Sequence, residues 1–377
     1  MKLIKDNNIL FISSEFPPGP GGISNHAYNL AKQFTIFGNN VHVITKKRRE
    51  FPNINFDSNS ELHITRYASN LHLFSWTNFA TIFFSHYLKN QYEYIIASGL
   101  FEIIFIGLLQ KILHFKSVII LHGHEALMGS WFTKLLFKIS INSINNKIAV
   151  SHFAQENLMQ ISPLSEITII NNGFDISRMK QYSQGIKPKM IDDKSRIKLI
   201  TVGTVCHRKG QHNVINAFNL LKSRYPFIEY HIVGLPHDDG KIKKLAIQHN
   251  VEQNIFIHGE LNDAEMIKLL QSCDIFVLLS ENQDSGDVEG FGIAILEANF
   301  LGLPAIGALG CGIEDAIEDG NNGKLINPFD QNELLSAINE ITYLYSQYSK
   351  RAMKKVQNST WEHIAKKYCK LLNLNNE

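Results

Sequence analysis

The sequence has little that would staple a small domain, bind a polyanion or cross a bilayer. Only four cysteines stand in 377 residues, Cys206, Cys273, Cys311 and Cys369. Their wide spacing fits neither a zinc clip nor the disulfide framework of a small secreted domain, and a reducing compartment suits them best. Charge is scarce: DEKR residues make up 19%, against about a quarter in an average soluble protein. The signs also nearly cancel, 37 Lys+Arg against 35 Asp+Glu giving +2, without the concentrated positive field of a nucleic-acid binder. DNA and RNA are therefore not expected partners. No apolar run reaches the roughly 18 residues that a membrane span needs, because residues 100–115 are interrupted by Glu102, Gln110, Lys111 and His114. The apolar stretch between Met1 and Ile12 is too short for a secretory leader, which gives a cytoplasmic expectation.

What is present is length and hydrophobic alternation. A chain of 377 residues that is 44% hydrophobic can bury two cores, at roughly 100–200 residues per domain. Short β-branched runs alternate with helical periodicity: a strand at 8–13, a helix at 23–37 and a strand at 41–44 open the chain as a βαβ unit. Further strands are expected at 94–97, 117–121, 147–150 and 167–170. Periodicity fades over 176–196, a polar Lys-rich stretch with Pro188, and a fresh strand starts at Lys198. The alternation then resumes, with strands at 230–233, 255–258, 274–279 and 304–306 and helices near 211–221, 262–271 and 291–300. The expected fold is α/β, two Rossmann-like domains at 1–178 and 196–350 followed by a helical segment at 351–377 that packs back toward the first, with a frayed Asn-rich end after Leu372.

Three strand-to-helix turns carry glycine, where free backbone N–H groups can meet an anion. The first ends in Gly21-Gly22; its spacing is not G-x-G-x-x-G and no acidic residue follows about twenty positions on, so a plain tight turn is as good a reading as a ligand loop. The second runs from Gly203 to His207, Arg208, Lys209 and Gly210. Two cations beside a helix start can neutralise a pyrophosphate; a solvated basic loop is the alternative, and position at the carboxyl end of a buried strand favours the ligand. The third follows the strand at 274–279 and contains Glu289, Gly290, Phe291, Gly292, Ile293 and Glu297. The glycines clear side chains from the backbone of Phe291, Gly292 and Ile293, which could then receive phosphate oxygens. Glu289 and Glu297, with seven residues between them, bracket this cup as hydrogen-bond acceptors for a polyol. A surface Glu favouring a helix dipole would explain one of the two carboxylates and not the set.

Taken in order, these features resemble the retaining glycosyltransferases of family 4, which have the GT-B fold, two Rossmann-like domains facing each other across a cleft. The residues that carry the resemblance are Gly21 and Gly22, His122, Ala149 to Ser151, Asn172 to Asp175, Gly203, Lys209 and Gly210, Gly259 with Asp274, the pair Glu289 and Glu297, and Gly312 to Glu314. The resemblance implies that Lys209 and Arg208 hold the donor diphosphate, that the backbone of Phe291, Gly292 and Ile293 completes the phosphate cup with Gly203 beneath it, and that Glu297 binds ribose hydroxyls. It implies that Glu289 faces the donor sugar, that Gly22 approaches the diphosphate and that His122 contacts the transferred sugar. Lys209, Glu289 and His122 are on this basis the expected catalytic set. Two departures stand out: Thr204 occupies a position where the family often has Arg, and the loop 280–288 is long and acidic, with Glu281, Asp284 and Asp287.

The implied reaction is transfer of a sugar from a nucleotide-diphosphate donor to a glycan or lipid-linked acceptor, in polysaccharide or lipopolysaccharide synthesis. No Asp-x-Asp pair stands in a metal-binding setting, Asp192-Asp193 and Asp238-Asp239 being adjacent residues, so neither a metal nor another cofactor is expected. The run Trp131 to Lys138 reads either as an interfacial segment making peripheral membrane contact beside a lipid-linked acceptor or as an ordinary core helix; the aromatic stretch 74–88 is its companion on the acceptor side. Two other functions fit the same architecture, a nucleotide-sugar 2-epimerase and a non-catalytic nucleotide-sugar-binding partner.

Overall fold

Two units make up the chain in the computed structural model, which describes residues 7–48, 53–68, 72–163, 166–183, 185–191, 193 and 195–374. The expectations on Met1 to Asp6, on Asp192, on the side chain of Phe74 and on the last three residues lie outside the described residues. Unit 1 comprises Met1–Gly173 with Trp361–Glu377, and unit 2 Phe174–Thr360.

Unit 1 is a seven-stranded sheet of β1 (Asn8–Ser13), β2 (Asn40–Lys46), β3 (His63–Tyr67), β4 (Tyr94–Ser98), β5 (Lys116–Leu121), β6 (Asn146–Ala149) and β7 (Thr168–Ile169). All pairs are parallel, and the spatial order is β3-β2-β1-β4-β5-β6-β7. Its central strands read as continuous apolar runs, as in Ile9-Leu10-Phe11-Ile12, because helices cover both faces and no side needs to meet water. Unit 2 repeats the plan with β8 (Lys198–Val202), β9 (Glu229–Val233), β10 (Ile255–Gly259), β11 (Ile275–Leu278), β12 (Ala305–Ala308) and β13 (Gly323–Ile326), parallel and ordered β10-β9-β8-β11-β12-β13. In each sheet the strand order reverses once, between β1 and β4 and between β8 and β11. Open α/β sheets bind ligands outside the carboxyl ends of strands at such a reversal.

The strands β3 and β13, which periodicity did not signal, are edge strands, and only Tyr67 of β3 is buried. β3 is largely half-buried and needs no apolar alternation, and β13 is only four residues long, too short to show a period. The helix expected at 211–221 is broken at Ala217 into Gln211–Asn216 and Phe218–Arg224.

The division between units falls earlier than the fading periodicity indicated. Unit 2 begins at Phe174, whose N–H donates to the Ser359 carbonyl (3.0 Å) and whose ring lies 5.3 Å from that of Phe300. The described residues of the polar stretch are mostly exposed or half-buried, with Met179 buried, and the stretch is anchored: the Lys189 N–H donates to Ser349 Oγ at 2.7 Å and Lys189 Nζ to the Cys273 carbonyl. At the other end, helix Tyr345–Lys355 stays with unit 2, and the chain joins unit 1 from Trp361. Helix Trp361–Leu372 buries Trp361, Ile364, Ala365, Tyr368, Cys369 and Leu372, a stripe at helical spacing. Within unit 1 it packs on helix Gly22–Ile36, with Trp361 5.2 Å from His26 and Tyr368 6.3 Å from Phe34, and the Tyr94 hydroxyl donates to the Leu372 carbonyl at 2.7 Å. Each large apolar side chain so buried contributes about 1.5–3 kcal/mol.

Candidate active site

In unit 2 the loops leaving β8 and β11 meet at the point where strand order reverses. The chain leaves β8 at Gly203, makes one 3-10 turn over His207–Lys209 and enters helix Gln211–Asn216 through Gly210. Gly210 is left-handed, φ 68°, and a Cβ there would stand 1.7 Å from the Leu279 carbonyl oxygen at the end of β11. Only glycine lets this turn lie against the neighbouring strand. At Gly203 a Cβ would come within 3.1 Å of Lys209 Cε, so the bare backbone gives the lysine stem its path.

That path ends on Glu289. Lys209 Nζ and Arg208 Nη1 both donate to Glu289 Oε2, each at 2.6 Å, and Arg208 Nε lies 2.9 Å from Asp287 Oδ1. The adjacent side chains of Arg208 and Lys209 thus converge on one oxygen. The carboxylate is buried, 8% exposed, and burial alone would raise its pKa; the Lys209 and Arg208 charges overcome this and hold it near 2. The result is a charge-balanced cluster of two cations and two carboxylates beside the strand reversal of unit 2, in which the acidic loop 280–288 supplies the second carboxylate through Asp287. The Ser280 hydroxyl, buried beside Glu281 at the end of β11, has no hydrogen-bond partner among the described residues. An oxygen-rich ligand would satisfy it.

Gly292 caps helix Ile293–Phe300 in a left-handed conformation, and both Phe291 and Gly292 are buried. The loop is braced by the Gly312 N–H, which donates to the Glu289 carbonyl at 2.8 Å. Glu297, one turn into the helix, is not free: its Oε1 lies 3.2 Å from Nη1 of Arg178, which also pairs with Asp263 at 3.0 Å. Burial raises the Glu297 pKa, and the Arg178 charge opposes it. Arg178 was not singled out from sequence, where it stands in the stretch that reads as linker.

Unit 1 holds the remaining expected residues. Gly22 opens helix Gly22–Ile36, and a Cβ there would meet nothing within 4 Å. His122 follows β5, is 6% exposed, and its Nε2 lies 2.9 Å from Ser98 Oγ at the end of β4. Glu125, a residue that sequence reading passed over, fixes this turn: its carboxylate accepts from the N–H groups of His122 (3.0 Å) and Gly123 (2.9 Å). The signal for it was the spacing His122-x-x-Glu125, a carboxylate folding back on the turn that precedes it. The His122 ring stands 5.1 Å from that of His26, and burial pushes both imidazoles down to about 3. At neutral pH His122 is an uncharged hydrogen-bonding group.

This burial has a consequence for stability. Between pH 6.5 and about 3 the unfolded chain takes up protons that the folded unit refuses, so stability is full above pH 6.5 and falls as pH drops. The slope reaches at most about 1.4 kcal/mol per pH unit for each histidine. The urea midpoint should therefore fall from pH 7 to pH 5.5, and fall less in His26→Gln; equal slopes in the two proteins would exclude this account.

Two Rossmann-like units, each with a glycine-bearing turn beside its sheet reversal and one of them with a paired Arg and Lys there, define a GT-B protein. Two family models cover most of the chain in tandem, "Glycosyltransferase Family 4" over residues 20–178 and "Glycosyl transferases group 1" over residues 184–359. The chain belongs to glycosyltransferase family 4. It is 27% identical over 180 residues to WcaL of Salmonella typhimurium, whose name assigns it to colanic acid biosynthesis, a match covering 48% of this chain and 43% of WcaL. It is 27% identical over 235 residues to the amylovoran biosynthesis glycosyltransferase AmsK of Erwinia amylovora, covering 60% of this chain and 55% of AmsK. The chain thus spans about half the length of these relatives. The crystal structure of Anabaena HepE in complex with UDP shares the fold, with a TM-score of 0.75 at 19% identity, over 97% of this chain and 99% of HepE.

Proposed function

We propose that the protein transfers a sugar from a nucleoside diphosphate sugar to a glycan or lipid-linked acceptor, with retention at the anomeric carbon and with side-chain cations, not a metal ion, neutralising the leaving group. The observation that carries this reading is the convergence of Lys209 and Arg208 on Glu289 where the unit 2 sheet reverses. Two cations sharing Glu289, with Arg208 also held by Asp287, are a preformed site for a diphosphate, whose oxygens take the place of Glu289 Oε2 and free that carboxylate to accept hydrogen bonds from sugar hydroxyls. Phe291, Gly292 and Ile293 contribute backbone to the same phosphates, and Glu297 accepts from the ribose once it exchanges its bond to Arg178. His122, neutral and fixed by Ser98 and Glu125, orients a hydroxyl of the transferred sugar.

Retention follows in this reading from a front-face substitution. The bond from the anomeric carbon to the diphosphate oxygen breaks, the acceptor oxygen bonds to the same face, and the acceptor proton passes to the departing phosphate oxygen. A carboxylate nucleophile is not required, and the nearby carboxylates are ill suited to the part: Glu289 is held by two cations and Glu297 by Arg178. The names of WcaL and AmsK support a place in polysaccharide synthesis, and UDP in HepE supports a nucleoside diphosphate ligand. Thermal-shift titration with UDP-, GDP- and ADP-sugars tests the assignment. One nucleotide class should raise the midpoint, since a ligand at about 100 times its Kd adds about 2.7 kcal/mol; no shift with any of them would overturn the donor site.

A membrane-proximal acceptor is part of the proposal. Among the described residues no helix is long and apolar enough to cross a membrane. Helix Trp131–Ile141 buries Phe137, Ser140 and Ile141 but leaves Trp131 77% and Phe132 54% exposed, alongside Lys134 and Lys138. An exposed aromatic face with flanking cations suits an anionic lipid surface. The protein should float with anionic vesicles and a Trp131→Ala, Phe132→Ala variant should not; equal flotation of the two removes this contact.

A further inference from the structure

Beside the phosphate-binding turn stands a second constellation that the transfer reaction leaves unused. His207 begins the 3-10 turn that presents Arg208 and Lys209, His212 lies in the helix that follows, and Glu281 follows β11. His212 Nε2 lies 2.8 Å from Glu281 Oε1 and His207 Nδ1 3.6 Å from Glu281 Oε2, and the two imidazoles face each other with centroids 4.2 Å apart. One ligand atom from each residue falls within 4.8 Å of the others. Two ligands on a tetrahedral ion of this class sit about 3.4 Å apart, from metal–nitrogen and metal–oxygen distances of about 2.0–2.2 Å. The observed separations bracket that spacing before any ion has drawn the side chains in.

We propose that His207, His212 and Glu281 form a divalent metal site for a zinc-class ion, distinct from the diphosphate cations and serving to brace the loop that carries them. Two observations point the same way. Glu281 is buried, 9% exposed, and among the described residues no Lys or Arg pairs with it; its charge meets only the two imidazoles and the Asn213 amide, and a divalent ion would give it the full counter-charge that a buried carboxylate needs. Asn213 Nδ2 donates to Glu281 Oε1 at 2.5 Å, an outer contact of the kind that aims a ligating carboxylate.

The donor set selects the ion. Two imidazoles and one carboxylate are borderline ligands suited to Zn2+, Co2+ or Ni2+; Mg2+ and Ca2+ prefer all-oxygen sites. Three protein ligands leave a fourth position for water. The Glu281 N–H donates to the Arg208 carbonyl at 2.8 Å, so an ion joining Glu281 to His207 and His212 ties both ends of the cationic turn to the end of β11. This site goes beyond the transferase reading and does not depend on it.

The test uses the full-length, tag-free chain stripped with EDTA and no sugar nucleotide. Calorimetric titration with zinc chloride should show one ion per chain, and Co2+ should give the visible bands of a nitrogen and oxygen site. Outer contacts to ligands are worth about 10–100-fold in affinity, so removal of a direct ligand by His207→Ala or Glu281→Gln should weaken binding by at least about tenfold. His207 is 61% exposed, and its variant remains folded and decisive even where Glu281→Gln does not. Absence of binding, binding of equal strength in His207→Ala, or thiolate charge-transfer bands from cysteine ligation would each overturn the proposal.

Discussion

Replacing Lys209 by Ala is expected to lower kcat by about 10²–10³-fold, the usual size of one lost charge-stabilising donor, while the ligand-free fold persists. Lys209 Nζ sits at the strand reversal, aimed at the oxygen it shares with Arg208. As the glycosidic bond breaks, negative charge grows on the departing diphosphate, so a cation there interacts more strongly with the transition state than with the bound donor, and its loss falls on kcat. The fold persists because Glu289 Oε2 keeps Arg208 at 2.6 Å, leaving no buried carboxylate unpaired. Steady-state kinetics beside a thermal melt decide the matter: unchanged kcat with a raised KM would assign Lys209 to ground-state binding alone and refute the role given to it.

Glu289→Gln should do the converse. Removing the carboxylate leaves the mostly buried Lys209 and Arg208, with side chains 14% and 20% exposed, without their shared partner. Breaking such a pair costs about 3 kcal/mol, a fall of about 6–12 °C in the midpoint of a unit this size. The diphosphate is the carboxylate's replacement in the proposed site, so the cognate nucleoside diphosphate should raise the midpoint of Glu289→Gln more than that of the native protein, while transfer drops because the sugar has lost its acceptor. Equal ligand shifts in the two proteins would mean that the diphosphate binds elsewhere.

These two variants also show how far a sequence can be read. That Lys209 and Glu289 stand on glycine-bearing turns beside strand ends was legible from turn chemistry and from the spacing of Glu289 and Glu297. That Lys209 and Arg208 meet on one oxygen of Glu289, 80 and 81 residues away, was not, because it depends on β8 and β11 becoming neighbours through a crossover. Arg178 illustrates the same limit: it lies 119 residues from Glu297 in sequence, within a stretch whose polarity reads as linker. Polarity reports exposure, and an exposed segment can still be anchored to one unit by a few bonds. The early boundary at Phe174 and the late one at Trp361 follow from that distinction.

The sequence alone determined the alternation of strand and helix, the parallel α/β class, the two-unit plan and the glycine turns, since hydrophobic period and backbone permissiveness are local properties written residue by residue. The four widely spaced cysteines, the near-balance of charge and the interrupted apolar runs set the expectations against stapled, polyanion-binding and membrane-spanning classes, and these too are properties read residue by residue. Tertiary structure decided strand order, and with it every contact that spans a crossover: the cations on Glu289, Arg178 on Glu297, and the two imidazoles on Glu281. It also decided that helix Trp361–Leu372 completes unit 1, because burial of an apolar stripe rewards whichever surface complements it, wherever in the chain that surface arises.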